Sequence, residues 1–278
     1  MFLKTANCAG RSPRNSFHLV LPLVFAARMG CGCGVMTNKT GEEQLAPTGV
    51  LRAGINMANK LLVTGEAPNG DPDGVGPEFA RHIADFLGVS VSYVPFPTPG
   101  ELADAVVDGV WDIGLIGAEP SRAEKIAFTA AYVEIDASYL VPEGSPLKKI
   151  EDVDQPGIRI AVSGRSAYDL FLSRNLKHAE LVRANGLPGA TKLFLDEKLD
   201  ALAGLRPPMM DDLPNLPGAR ILDGQFTAVQ QAVGTAKGNT EAAVFLSDFV
   251  EQSKKSGLVA KLIDKYGVTG RLSVASAS

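Results

Sequence analysis

The chain has 278 residues, 45% of them hydrophobic and 21% charged, with a formal net charge of −4. That length supports a globular core in two units. The slight acidity and the lack of a long basic run exclude a nucleic-acid binder, and no apolar run reaches the length of a membrane span.

Residues 1–34 have the layout of a weak signal segment. Lys4, Arg11 and Arg14 precede an apolar run from Phe17 to Ala27, and small residues follow at Gly30, Gly32 and Gly34. His18, Pro22 and Arg28 weaken the pattern. All three cysteines, Cys8, Cys31 and Cys33, fall here. A Cys-x-Cys pair without two further ligands does not make a metal site. A lipoprotein needs leucine about three residues before its cysteine, where this chain has Arg28 or Gly30, so lipidation is not expected. Residues 35–48 are polar with little periodicity and read as a linker.

Val50–Asn56 reads as a first strand, and Asn69 to Gly74 is dense turn chemistry. Phe79, Ile83, Phe86 and Leu87 have helical spacing within Pro77–Leu87, with Gly88 as the stop. A strand over Val89–Val94, a helix over Glu101–Val107 and a strand over Ile113–Ile116 follow. This strand runs into Gly117-Ala-Glu-Pro-Ser-Arg122, a turn expected to open a short helix. A cation and free amides at a helix N-terminus would form an anion site. The plain alternative for Arg122 is a surface ion pair with Glu119 or Glu124. Ser138–Pro142 is extended, and a second α/β unit follows. Its strands are Ile158–Val162, Glu180–Arg183 and Ala201–Ala203, and its helices Ser166–Leu176 and Ala190–Glu197. Gln230–Gly234 is a second extended stretch, before helices at Thr240–Ser256 and Leu258–Tyr266. Strands alternating with helices imply mainly parallel sheets with ligands at the strand C-terminal ends. Two crossings imply two lobes on a two-stranded hinge with a ligand cleft between them. Lobe 1 would comprise 49–140 and 230–268, lobe 2 141–229, and 269–278 a tail.

Several segments carry a family resemblance. Trp111 to Tyr132 resembles the strand and turn of the family 3 periplasmic solute-binding proteins, the polar amino-acid type. Gly74-Val-Gly-Pro-Glu-Phe-Ala80 stands where that family has Gly-Phe-Asp-Val-Asp-Leu-Ala. Gly234-Thr-Ala-Lys-Gly-Asn-Thr-Glu241 is similar to its turn after the second hinge strand, and Ser256 to Gly267 to its terminal helix. In order and spacing these matches span about residues 48–268. The resemblance implies a two-lobe periplasmic binding protein-like fold of type II.

It also implies a site. In the family a Thr-x-x-Arg at the Gly117 turn holds the ligand's carboxylate; here Arg122 is present and Glu119 takes the threonine's place. Glu119 could orient Arg122, meet a ligand ammonium, or cap at Pro120. Asn56 and Asn59 stand where the family has an acid and a covering aromatic. Thr98 matches another ligand-facing position, with Phe96 close by. Ser163 to Asp169 resembles the glycine-serine/threonine turn of the second lobe. There Ser166 and Asp169 fit a capping box, and Arg165 offers a second cation. The family's ammonium-binding aspartate falls at Leu205, followed by Arg206, with Asp211 or Asp212 as substitutes. The implied protein is a monomeric, cofactor-free, non-enzymatic periplasmic component of an ABC importer, partnered by a permease and its ATPase. It would bind a small carboxylate-bearing solute. The alternatives are a cyclohexadienyl dehydratase-like enzyme using Glu119 as a general acid and a ligand-sensing subunit.

Overall fold

The computed structural model describes residues 39–276; the signal-like segment lies outside them. Helix α1 (Lys39–Leu45) occupies part of the stretch expected to be a linker. Leu45 is fully buried, and Gln44 Oε1 accepts a hydrogen bond from Ala242 N at 3.0 Å. A helix almost 200 residues further on therefore orders a segment with little periodicity of its own.

Strand β1 (Val50–Asn56) follows, then a two-stranded hairpin of β2 (Gly65–Glu66) and β3 (Pro72–Asp73). Helix α2 (Val75–Leu87) packs Phe79, Ala80, Ile83 and Ala84 into the core, and Gly88 caps its end in the left-handed conformation at φ 70°. Gly74 sits at φ 145°, and a Cβ there would lie 2.4 Å from Leu62 O, so only glycine fits this helix start. Strand β4 (Ser90–Phe96) pairs parallel with β1 along its whole length. Thr98 caps α3 (Pro99–Asp104), its hydroxyl accepting from Glu101 N at 3.2 Å. This helix is shorter than the spacing suggested.

The next strand, β5 (Ile113–Gly117), pairs parallel with β1 and is buried throughout. Arg52 and Asp112 fix its entry through a two-point ion pair at 2.6 and 3.0 Å. Trp111 Nε1 donates to Leu102 O at 2.9 Å, holding α3 against it. The turn after β5 does not open a helix. Arg122 N and Ala123 N bond Glu119 O, Ile126 N bonds Arg122 O, and the chain leaves directly as β6 (Ile126–Val141). Ile126 is 2% exposed; its burial starts the strand where a helix would have continued.

Strands β7 (Arg159–Ser163), β8 (Glu180–Ala184) and β9 (Ala201–Leu205) alternate with α4 (Ala167–Asn175), α5 (Gly186–Asp196) and α6 (Arg206–Asp212). The short β10 (Arg220–Ile221) pairs with β6. The long β11 (Thr227–Ala236) follows, then α7 (Thr240–Lys255) and α8 (Leu258–Lys265). In the stretch expected as a tail, β12 (Ser273–Val274) also pairs with β6.

One sheet holds ten of these strands in the order β4-β1-β5-β11-β6-β9-β7-β8, with β10 and β12 on β6. Strands β6 and β11 run antiparallel from Ile126↔Ala236 to Ala137↔Thr227. Strand β11 joins β5 on one side and β6 joins β9 on the other, so the two extended crossings are much longer than the sequence suggested. One core gathers Leu51, Phe79, Tyr132, Leu246, Val250 and Ile263 around β1; we call this half lobe 1. A second gathers Tyr139, Ile160, Val162, Leu172 and Ala203 around β7, in lobe 2. Phe79 stacks on Tyr132 at 4.8 Å between centroids. Burying each such aromatic contributes about 1.5–3 kcal/mol.

Candidate ligand cleft

The carboxyl ends of β1, β5 and β7 converge on one cavity of about 600 Å³, the place where open α/β sheets take ligands. Of the nine site residues expected from sequence, Asn56, Asn59, Thr98, Gly117, Arg122 and Ser166 line it. Lys60, Tyr168, Asn185, Asp211, Asp212 and Gln231 share the wall, with Leu187, Leu205 and Val229 among its apolar members.

Arg122 is 6% exposed. Its Nη1 donates to Gly117 O at 2.7 Å and its Nη2 to Arg165 O at 2.9 Å, one carbonyl from each lobe. A guanidinium has five N–H groups, of which these two bonds engage two. Burial lowers Arg122 to a pKa of about 10; the nearby charge of Arg165 pushes the same way, and that of Glu119 pushes back. It stays cationic at neutral pH, an unneutralised cation in the cavity wall.

The asparagines and Thr98 are partly occupied with their own turns. Asn56 Oδ1 accepts from Ala58 N and Asn59 Oδ1 from Leu61 N, each at 3.2 Å. Ser166 caps α4 by accepting from Asp169 N at 3.0 Å. The returning bond of the expected capping box comes from Arg165 N instead, which donates to Asp169 Oδ2 at 2.7 Å. Tyr168, buried at the cavity wall, has its hydroxyl raised to a pKa of about 12 by burial, against the pull of Ser166 and Ser163.

Three expected residues stand elsewhere. Glu119 does not line the cavity. Its carboxylate, 10% exposed, takes a hydrogen bond from Arg174 Nη2 of α4 at 2.5 Å, across the two lobes. Arg165, held at φ 61°, turns its guanidinium to Asp104 Oδ1 at 2.8 Å and Gly100 O at 3.3 Å on α3. It lines a neighbouring, smaller cavity. Arg206 points away from the cleft, donating to Leu222 O at 2.6 Å and Gly224 O at 2.5 Å. Its neighbour Leu205 lines the cavity instead, as does Pro208. Of the two substitute carboxylates, Asp211 pairs with Arg271, whereas Asp212 forms no ion pair among the described residues.

The lobes meet closely here. A Cβ on Gly117 would lie 2.9 Å from Ala167 Cβ and 3.2 Å from Val229 Cγ1, and one on Gly100 2.9 Å from Arg165 Cζ. Glycine at both positions lets α4 and its preceding loop close onto lobe 1.

A family model described as bacterial extracellular solute-binding proteins, family 3, matches residues 51–269. The chain belongs to this family. L-cystine-binding protein TcyJ of Escherichia coli (strain K12) is 23% identical over 207 residues, 72% of this chain and 76% of that protein. Cyclohexadienyl dehydratase of Pseudomonas aeruginosa is 24% identical over 174 residues, 61% of this chain and 64% of that enzyme. Among solved structures, the ancestral amino acid-binding protein AncCDT-1, a precursor of cyclohexadienyl dehydratase, superposes with a TM-score of 0.65 at 23% identity. That match covers 81% of this chain and 98% of AncCDT-1, and the shared fold is the periplasmic binding protein type II fold. The family thus holds binding proteins and an enzyme. Among the described residues no helix is long and apolar enough to cross a membrane.

Lys60, Asn185 and Gln231, cavity residues absent from the sequence-based set, came from positions without a motif. Lys60 and Asn185 sit in turns. Gln231 is one polar residue in a hinge strand, and its burial at 4% exposure was the signal that only packing could reveal.

Proposed function

We propose that this chain is the substrate-binding component of an ABC importer, taking a small carboxylate-bearing solute, an amino acid or related organic anion, into the cleft. It would act outside the cytoplasmic membrane as a monomer, delivering the solute to a permease coupled to an ATPase. The observation that carries the reading is Arg122: a buried cation in the cavity wall, held by one carbonyl from each lobe. A carboxylate bound there is gripped by both lobes only when they are together, so binding favours closure about β6 and β11. The names of TcyJ and AncCDT-1 support an amino-acid-like solute. Leu205, at the position the family gives to an ammonium-binding aspartate, argues that the ammonium is met differently here, with Asp212 as the nearest unpaired carboxylate of the wall.

Titration calorimetry with a panel of amino acids, 2-hydroxy acids and plain carboxylates tests this. A charge-assisted, two-point arginine–carboxylate contact contributes about 3 kcal/mol, so Arg122→Ala should weaken the best binder at least 100-fold. Unchanged affinity in that variant would refute the reading. The dehydratase similarity motivates a second reading, an enzyme acting on a prephenate-like diacid. The Arg174 contact holding Glu119 outside the cavity speaks against that residue as its acid. Turnover of such a diacid, lost in Glu119→Gln, would establish it.

A further inference from the structure

The wall that Arg122 shares contains a polar group with no partner among the described residues. Gln231, on β11, is 4% exposed and lines the cavity. Its Oε1 is buried with no hydrogen-bond donor among the described residues. A buried carbonyl left unsatisfied costs about 1–3 kcal/mol, a cost that an apolar residue would avoid. The backbone explains where the amide sits. Gln231 pairs with Gly117 across the antiparallel β11–β5 ladder, and directly opposed residues project on the same face, roughly 5 Å apart. Gly117 has no side chain, and its carbonyl holds Arg122 Nη1 at 2.7 Å. The Gln231 amide and the Arg122 guanidinium thus both line the cavity, and both flank Gly117. The register of β11 against β6 also shifts between Gln231 and Ala232, an irregularity of the kind that re-aims side chains at functional sites.

The geometry points to Gln231 as a specificity-determining ligand contact, whose amide carbonyl accepts a hydrogen bond from an O–H or N–H on the carbon beside the solute's carboxylate. Oε1 is itself buried; the terminal torsion of glutamine is broad and roughly two-fold, so a half-turn brings the carbonyl to the cavity and puts Nε2 in the buried position, at a cost that the ligand's hydrogen bond offsets. The inference rests on Arg122 holding the carboxylate and narrows the solute to acids carrying a donor at that carbon. Hydroxyl and ammonium are the two sources of that donor.

Matched triplets separate them: propionate, lactate and alanine, and succinate, malate and aspartate, titrated into the full chain. Wild type should bind the hydroxy or amino member of a triplet about tenfold more tightly than the bare acid. In Gln231→Leu that preference should collapse to within twofold. The ligand-free Gln231→Leu protein should melt no lower than wild type, because an unsatisfied polar group is replaced by an apolar one. Should leucine prevent folding, Gln231→Met carries the same comparison. A wild type without the preference, or a Gln231→Leu protein that keeps it while Arg122→Ala abolishes binding, overturns the role of Gln231 and leaves the carboxylate site standing. Failure of the wild type to bind any triplet member overturns both.

Discussion

Glu119 and Arg174 make the sharpest test of how the lobes are held together. The pair spans the cleft, Arg174 Nη2 to Glu119 Oε2 at 2.5 Å, with side-chain exposures of 38% for the arginine and 10% for the glutamate. A charge-assisted hydrogen bond contributes about 1.5–3 kcal/mol; the open side of Arg174 discounts this to about 1–1.5 kcal/mol. Since the contact exists only with the lobes together, Glu119→Gln should shift the open–closed equilibrium roughly five- to twelvefold toward open. The variants are asymmetric. Glu119→Gln leaves an arginine that water can reach, whereas Arg174→Met strands a nearly buried carboxylate and should cost more. Small-angle scattering of the ligand-free protein and calorimetry of the bound solute report the two limits. A mostly closed wild type gains radius of gyration in the variants; a mostly open one loses affinity by the same factor. If neither quantity moves in Glu119→Gln, Arg174→Met or the double variant, the contact is ornamental and the reasoning fails.

Three further expectations follow from the same geometry. Gly117→Ala should cut solute affinity about tenfold or more with little loss of thermal stability when the lobes are free to part, because its Cβ would lie 2.9 Å from Ala167 Cβ; calorimetry and melting together check it. Leu205→Asp places a carboxylate in the cavity wall at the N-cap of α6, and should raise affinity for amino acids about tenfold relative to plain carboxylates in paired titrations. Burial alone would raise the Asp154 carboxyl, but hydrogen bonds from Ala179, His178 and Lys177 N outweigh it and hold the carboxyl below its usual range. Its stabilisation is therefore complete above the unfolded carboxylate value of about 4 and is lost as pH falls through the lower folded one. Asp154→Asn should cost about 1 kcal/mol at pH 7 and flatten the melting-temperature decline below pH 4.

Much of the fold was legible because its signals are local. Glycine stops, alternating elements and the strand leading to Gly117 place β1, α2, β5 and the second α/β unit within a few residues. What escaped depended on distant partners. Helix α1 exists because α7 receives Leu45 and Gln44. The helix expected at Arg122 gave way to β6 because the buried Ile126 pairs at once with Ala236. Turn context and the family resemblance pointed to Arg122, which lines the cavity, but side-chain direction was invisible: Arg206 turns to the carbonyls of Leu222 and Gly224, and Arg165 to Asp104, each captured by a contact more than ten residues away. Gln231 was unreadable for the opposite reason, since nothing in a strand pattern marks a polar residue as buried.

The long passage of β6 and β11 between the lobes also sets an order of assembly. Lobe 2 is nearly contiguous, needing only the far half of β6 and the start of β11 beyond its own segment. Lobe 1 cannot complete its core until Leu246, Val250 and Ile263, from the last two helices, meet Leu51 and Phe79 from the first third of the chain. A polypeptide emerging from its N-terminus can pack α2 on β1 and β4 early, but the part of its apolar face that meets the last two helices stays uncovered until almost all of the chain has appeared. The core of the half that carries Arg122 is therefore completed only by the last residues of the chain.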